Sequence, residues 1–278
     1  MKLGTMVELQ PEELERRFTL LRESGLPSCQ LSCWQQDRMT ADNARLVRDL
    51  AERYGIEISA LWCGWDGPCE WNLLRGPATI GLVPAAYRQK RLDTLLAGSA
   101  FCVSIGVTDI VTHVGFIPND PFDDDYAGLI GALRHLAISI RPKGQFFLFE
   151  TGQEAPVTLL RTIEDIGSDN VGINLDPANL IMYGMGNPID ALSVFGHLVR
   201  NVHAKDGVCP PNGRELGPEM PIGKGMVDFP KFITRLKAIG YDRFITIERE
   251  ISGEEQIRDI LSAKRYLERL IAETDRKR

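Results

Sequence analysis

Four side chains in the second half of the chain could do chemistry together: Glu150, Asp176, His203 and Glu248. Each closes a short apolar run that reads as a β-strand, and they follow one another at intervals of 26, 27 and 45 residues. Three carboxylates brought to one place would repel, and burying them without a counter-charge is costly. A divalent cation removes the conflict. Three oxygens and one nitrogen suit Mn²⁺, Co²⁺, Mg²⁺ or Zn²⁺, and the sequence does not select among them. A cation bound to a carbonyl and an adjacent hydroxyl acidifies the carbon between them through a metal-bound enediolate, and a nearby carboxylate can take the proton. The plainer alternative is four unrelated polar strand ends, each with its own salt-bridge partner.

Convergence of the four depends on the elements that carry them. The pattern alternates strand and helix eight times. Strands are expected at Lys2–Val7, Cys29–Trp34, Ile56–Cys63, Asp109–Val114, Gln145–Glu150, Val171–Asp176, Leu198–His203 and Arg243–Glu248. Helices are expected at Pro11–Ser24, Thr40–Tyr54, Pro84–Ile105, Asp123–Ile140, Pro156–Ile166 and near Asn187–Phe195. Two more run from an Asp228 cap to Gly240, and onward from Ser252, with Glu255 completing a capping box. Alternation of this kind implies a parallel sheet, and eight units with nothing left over fit a closed barrel. The expected fold is therefore α/β, a single-domain (β/α)8 TIM barrel over residues 1–278, with an open doubly wound sheet as the runner-up. A barrel gathers the C-terminal ends of its strands at one mouth, where active sites sit.

Strand alternation tests whether the four side chains point inward. Phe146, Leu148 and Glu150 share one face, as do Gly172, Asn174 and Asp176. Val199, Asn201 and His203 form the third such row, and Phe244, Thr246 and Glu248 the fourth. Phe147, Phe149, Ile173, Leu175, Ile245 and Ile247 take the opposite faces and suit packing under helices. Arg200, beside Val202, breaks that apolar pattern.

At these positions the chain resembles the xylose-isomerase-like TIM-barrel family of sugar isomerases and epimerases. The segments concerned are Phe147-Leu-Phe-Glu-Thr-Gly152, Asn174-Leu-Asp-Pro-Ala-Asn-Leu180, Asn201-Val-His-Ala-Lys-Asp206 and Ile245-Thr-Ile-Glu-Arg-Glu250. The stretch from Leu216 to Gly225 is similar to the family's glycine-rich loop before the seventh helix. The resemblance implies metal ligands at Glu150, Asp176, His203 and Glu248. It also implies that Glu150 and Glu248 are the proton-transfer pair of an isomerase or epimerase acting on a ketose or related keto-polyol. The family's ketose 3-epimerases often have a histidine three residues after the aspartate; this chain has Asn179, taken as a substrate contact. Their arginine after the histidine ligand is also missing, and the nearest one is Arg214.

Other residues extend the candidate site. His113, near the end of the fourth strand, could meet a substrate hydroxyl, act as a second base, or be a structural histidine. Trp34, Trp62 and Trp65 follow the second and third strands and could wall a sugar or anchor a loop, with Trp62 the preferred substrate contact. Lys205 could bind a substrate oxygen, Asp206 could orient a neighbour, and Glu250 is a fallback for Glu248. His135 and His197 fall in or beside helices and read as surface or packing residues.

Composition narrows the function classes. The 278 residues are 44% hydrophobic and 25% charged, ordinary for a globular protein. A net charge of −6 and only four histidines argue against a DNA-acting relative such as an abasic-site endonuclease, which needs a basic face. No apolar run is long enough to span a membrane, and Met1–Gln10 reads as a strand and not as a signal peptide. Six cysteines without a CxxC pair point to reduced thiols and a cytoplasmic protein. No phosphate-binding motif is present, so a free sugar is preferred to a sugar phosphate. The expected partner is a small carbohydrate, with neither nucleic acid nor membrane, and a homo-oligomer is allowed. Competing readings are a lyase or dehydratase on an oxidised sugar or cyclitol, and a non-catalytic binding barrel.

Overall fold

A computed structural model describes residues 1–276. The expected single unit also includes Lys277 and Arg278, which lie outside the described residues. The first strands are β1 (Lys2–Glu8), β2 (Ser28–Cys33), β3 (Glu57–Cys63) and β4 (Asp109–Thr112). They are followed by β5 (Phe146–Glu150), β6 (Val171–Leu175) and β7 (Val199–Ala204). Two short strands, β8 (Asp206–Gly207) and β9 (Glu219–Met220), precede β10 (Phe244–Ile247). The described residues form a closed barrel in the order β1-β10-β7-β6-β5-β4-β3-β2, parallel throughout. The expected TIM barrel is the observed fold. No helix among the described residues is long and apolar enough to cross a membrane.

The helices around it are α1 (Pro11–Glu23), α2 (Ala41–Tyr54), α3 (Gly76–Thr79), α4 (Ala85–Ile105) and α5 (Asp124–Ile140). Next come α6 (Pro156–Ile166), α7 (Pro177–Met182), α8 (Pro188–Phe195), α9 (Phe229–Ala238) and α10 (Glu254–Arg276). Local chemistry sets several ends. Thr40 accepts the Asn43 N–H to start α2, and Gly55, at φ 66°, stops it. Asp228 accepts the Lys231 N–H to start α9.

The main apolar core lies between strands and helices, where Phe147, Phe149, Ile173, Leu175, Ile245 and Ile247 are fully or nearly fully buried. The barrel interior is different. Ala60, Trp62, Val111 and Leu148 fill one side of it, while Gln30, Asn174, Asn201 and Thr246 are buried polar residues in the middle. At the opposite end from the mouth, buried Asp109 accepts from Arg200 at 3.1 Å and from Arg243 at 3.0 Å.

The structure corrects several expectations. Strand β6 pairs with β7 through a register shift that matches Ile173 to Val199 and Asn174 to Asn201. Arg200 is the extra residue of that irregularity, which resets the alternation. Val199 therefore joins the outer core and not the inward row of Asn201 and His203. Arg200 reaches Asp109, which explains a charge that the strand pattern left unplaced. Helix α10 begins at Glu254, so Gly253 and not Ser252 occupies the cap position. Helix α10 continues to Arg276, through the charged stretch that begins at Thr274. The long loop after β7 holds the β8–β9 ladder, and Asp176 opens the short helix α7; neither was expected.

Candidate metal centre

Four neighbouring strands deliver the four side chains. Glu150 ends β5, Asp176 follows β6, His203 lies in β7 and Glu248 follows β10. Asp176 also caps α7, its Oδ1 accepting the Asn179 N–H at 2.9 Å, which leaves Oδ2 turned to the centre. The Glu248 N–H donates to the Ala204 carbonyl at 2.9 Å and extends the ladder by one residue.

His203 Nδ1 lies 3.1 Å from Glu150 Oε1, 3.0 Å from Glu248 Oε2 and 3.9 Å from Asp176 Oδ2. One ligand atom from each of the four residues falls within 4.8 Å of all the others. Asp176 Oδ2 and Glu248 Oε2 are buried and accept no hydrogen bond. Orphaned carboxylate oxygens are expensive unless something satisfies them. A divalent cation fits this donor set in charge and in ligand type.

The electrostatics show the strain of the bare cluster. Burial pushes Glu150 up, but His113 and His203 outweigh it and hold the carboxyl below its ordinary value. Burial also opposes ionisation of Glu248, and Lys205 and His203 overcome it, leaving this carboxyl well below the usual range. Burial wins at Asp176, which lies well above the usual carboxylate value. For His203, burial is overcome by Glu150 and Glu248, and its basicity rises.

Above this cluster opens a cavity of about 510 Å³. Glu150 and Glu248 line it, together with Trp62, His113, Asn179 and Lys205. The Trp62 indole N–H donates to Glu150 Oε2. His113 Nε2 is 3.7 Å from Glu150 Oε1. Lys205 is buried, with Nζ 2.9 Å from Glu250 Oε1, 3.7 Å from Glu248 Oε2 and 3.9 Å from Asp176 Oδ2. Trp34 and Trp62, with ring centres 5.0 Å apart, form part of the wall. Trp65 packs behind both of them, beside the Arg91 guanidinium, and anchors its loop. His135 and His197 are exposed on the outer surface.

Two devices hold the mouth in shape. Asp206 grips the glycine-rich loop: its carboxylate accepts from the backbone N–H groups of Gly207, Gly223, Gly225 and Val227 at 2.8–3.1 Å. A Cβ on Gly225 would lie 2.2 Å from Asp206 Oδ1, so the close approach requires glycine. The Leu73 N–H donates to the Arg214 carbonyl at 3.0 Å. These residues follow β3 and β7, on opposite sides of the barrel, so the hydrogen bond forms an arch over the mouth. Arg214 contributes its backbone there, and its side chain is exposed.

Sequence reasoning missed Gln30. It reaches across the barrel from β2: Oε1 lies 2.8 Å from His203 Nε2, and Nε2 donates to Asn174 Oδ1 at 3.3 Å. A signal was present, because Ser28, Gln30 and Ser32 make a polar row in an otherwise apolar strand. Trp71, Glu8 and Tyr183 also line the cavity and were not singled out.

The family model described as xylose isomerase-like TIM barrel matches residues 18–270. The structure is similar to a xylose isomerase domain protein from Planctomyces limnophilus, 32% identical, with a TM-score of 0.92 over 99% of this chain and 98% of that one. It shares its fold with an L-ribulose 3-epimerase at 19% identity, with a TM-score of 0.76 over 100% of this chain and 97% of the other. An uncharacterized protein of Methanocaldococcus jannaschii is 25% identical across 96% of this chain and 88% of its own length. With nearly its whole length matched in sequence and in structure, the chain belongs to the xylose isomerase-like TIM-barrel family.

Proposed function

We propose that the protein is a divalent-metal-dependent isomerase or epimerase of a small carbohydrate, a ketose or related keto-polyol. One observation carries this reading. Of the four candidate ligands, Glu150 and Glu248 line the cavity, whereas Asp176 and His203 lie fully buried beneath it. Two carboxylates thus face both the cation position and the space a substrate would fill. A bound cation, with Mn²⁺ favoured, would act as a Lewis acid that acidifies a C–H beside a carbonyl.

Glu150 and Glu248 come from strands separated in the barrel by β6 and β7 and approach the cavity from different directions. One takes a proton from a carbon and the other returns a proton to the opposite face, which inverts the centre. The Trp62 N–H fixes the Glu150 carboxylate, and Lys205 stands beside Glu248. His113, Lys205, Trp62 and Asn179 supply contacts to substrate hydroxyls and to its apolar face. The shared fold of the L-ribulose 3-epimerase supports the same class of chemistry. The cavity of about 510 Å³ is of the size that takes a small molecule.

The test is proton–deuterium exchange followed by NMR across ketoses and inositol ketones, with Mn²⁺ added. Exchange at a single carbon, with formation of its epimer or of the aldose, is the expected result. A dehydrated or cleaved product would move the reading to the lyase class. No exchange and no product with any ketone would overturn it.

A further inference from the structure

The charges around the cavity bear on which carbohydrates enter. Its lining carries four carboxylates, Glu8, Glu150, Glu248 and Glu250, against two lysine or arginine cations, Lys205 and Arg249. Arg249 is already held, with Nη1 2.8 Å from Glu219 Oε2 and Nε 2.8 Å from Asp259 Oδ2. Lys205 remains, and its nearest partner is Glu250 at 2.9 Å. Glu248 and Asp176 stand farther off and face the cation position. The Glu250 side chain is 57% exposed and reaches in from the rim. Its backbone N–H donates to both Glu219 oxygens, at 3.1 and 3.2 Å, and Arg249 fixes that same carboxylate. Glu250 is therefore anchored through its backbone by Glu219, which Arg249 holds in turn, and its carboxylate pairs with Lys205.

We propose that Glu250, by neutralising Lys205, makes this cavity select uncharged polyhydroxy ketones and reject sugars bearing a phosphate or carboxylate. The proposal rests on the carbohydrate reading above and names its substrate class. Away from the metal position, a phosphate in the cavity would meet no lysine or arginine among the lining residues that is free to receive it. It would have to displace Glu250 from Lys205, or lose its water beside Glu8 and Glu250. Either route is unfavourable, because like charges brought together in a partly desolvated site repel with little screening. Discrimination of this kind works by penalising the wrong ligand and needs no extra contact with the right one. A hydroxyl, in contrast, can donate to Glu8 or Glu250 without disturbing the ion pair.

The experiment measures binding without turnover. Sorbitol and sorbitol 6-phosphate lack a carbonyl and cannot react, and the tryptophans lining the cavity report occupancy by fluorescence. With the Mg²⁺-loaded protein, sorbitol is expected to bind roughly 10-fold or more tightly than its phosphate, the scale of one unfavourable charge contact. Glu250→Gln should shift the ratio toward the phosphate by about 10-fold. Adding Lys205→Met to that variant should remove the gain. Three results would overturn the proposal: a wild type that prefers the phosphate, a ratio unmoved by Glu250→Gln, or a gain that survives the loss of Lys205. A protein that binds sorbitol selectively but exchanges no ketose proton would sink the reaction and keep the charge selection. Failure of both polyols to bind would overturn the two together.

Discussion

His203 Nε2 lies 2.8 Å from Gln30 Oε1, on the far edge of the ring from Nδ1, which faces Glu150 and Glu248. An amide oxygen only accepts, so Nε2 carries the proton and the other nitrogen is turned to the carboxylates. Gln30 is oriented in turn by Asn174 on the opposite side of the barrel. The second nitrogen of a metal-binding histidine commonly has such a partner, which fixes tautomer and ring orientation.

Replacing Gln30 by Leu should therefore weaken divalent-metal binding by roughly 10–100-fold while the barrel stays folded. Gln30→Glu keeps an acceptor and should retain most of the affinity. Titration calorimetry with Mn²⁺, alongside circular dichroism, decides the matter. Affinity unchanged in the Leu variant would show that the ring is held by packing alone.

Glu150→Gln and Glu248→Gln keep one ligating oxygen but lose a base and a charge. Metal should still bind, more weakly, through Asp176 and His203. Turnover should fall by roughly 10²–10⁴-fold, the usual cost of losing a general acid or base. In an epimerase each variant should retain solvent exchange from the one epimer whose proton its remaining glutamate reaches. Equal exchange from both epimers in both variants would move the base to His113 or Lys205.

Asp206→Ala removes one acceptor group from four backbone donors at once. The expected loss is about 3 kcal/mol, because hydrogen bonds to a buried charge are among the stronger ones and their donors would be left unpaired. Urea unfolding measures the loss. Limited proteolysis should show new cleavage within residues 204–227. A variant as stable and as resistant as the wild type would mean that the loop is held by its other contacts.

Asp228 offers a pH-dependent test away from the site. The Lys231 side chain and backbone N–H hold its carboxyl below the ordinary value. A depressed folded-state pKa adds stability above the unfolded pKa, near pH 4, and that stability is lost as the pH falls through the folded value. Asp228→Ala should cost about 1 kcal/mol at neutral pH, as a lost helix cap does. Thermal melts of the two proteins should converge as the pH drops below about 4. A gap that persists at low pH would show that the carboxylate charge is not its source.

Much of this protein is written in local pattern. Short apolar runs between helical stretches mark all eight barrel strands, and caps such as Thr40 and Asp228 mark helix starts, because both depend on near neighbours in sequence. Spacing then placed Glu150, Asp176, His203 and Glu248 at successive strand ends, and a closed parallel barrel must bring such ends to one mouth. What lay beyond reach depends on atoms from distant strands meeting across the interior. The bulge at Arg200 reverses a row because its register is set by pairing with β6 and by the pull of Asp109. Gln30 meets His203 only once β2 closes the ring, 173 residues away in the chain. Lys205 looked like a free substrate contact, and only folding showed Glu250 holding it. The arch from Leu73 to Arg214 joins two loops with no sequence relation to each other. Local sequence determined which strand ends carry the four ligands; strand pairing and barrel closure decided which residues face inward beside them and which of them touch.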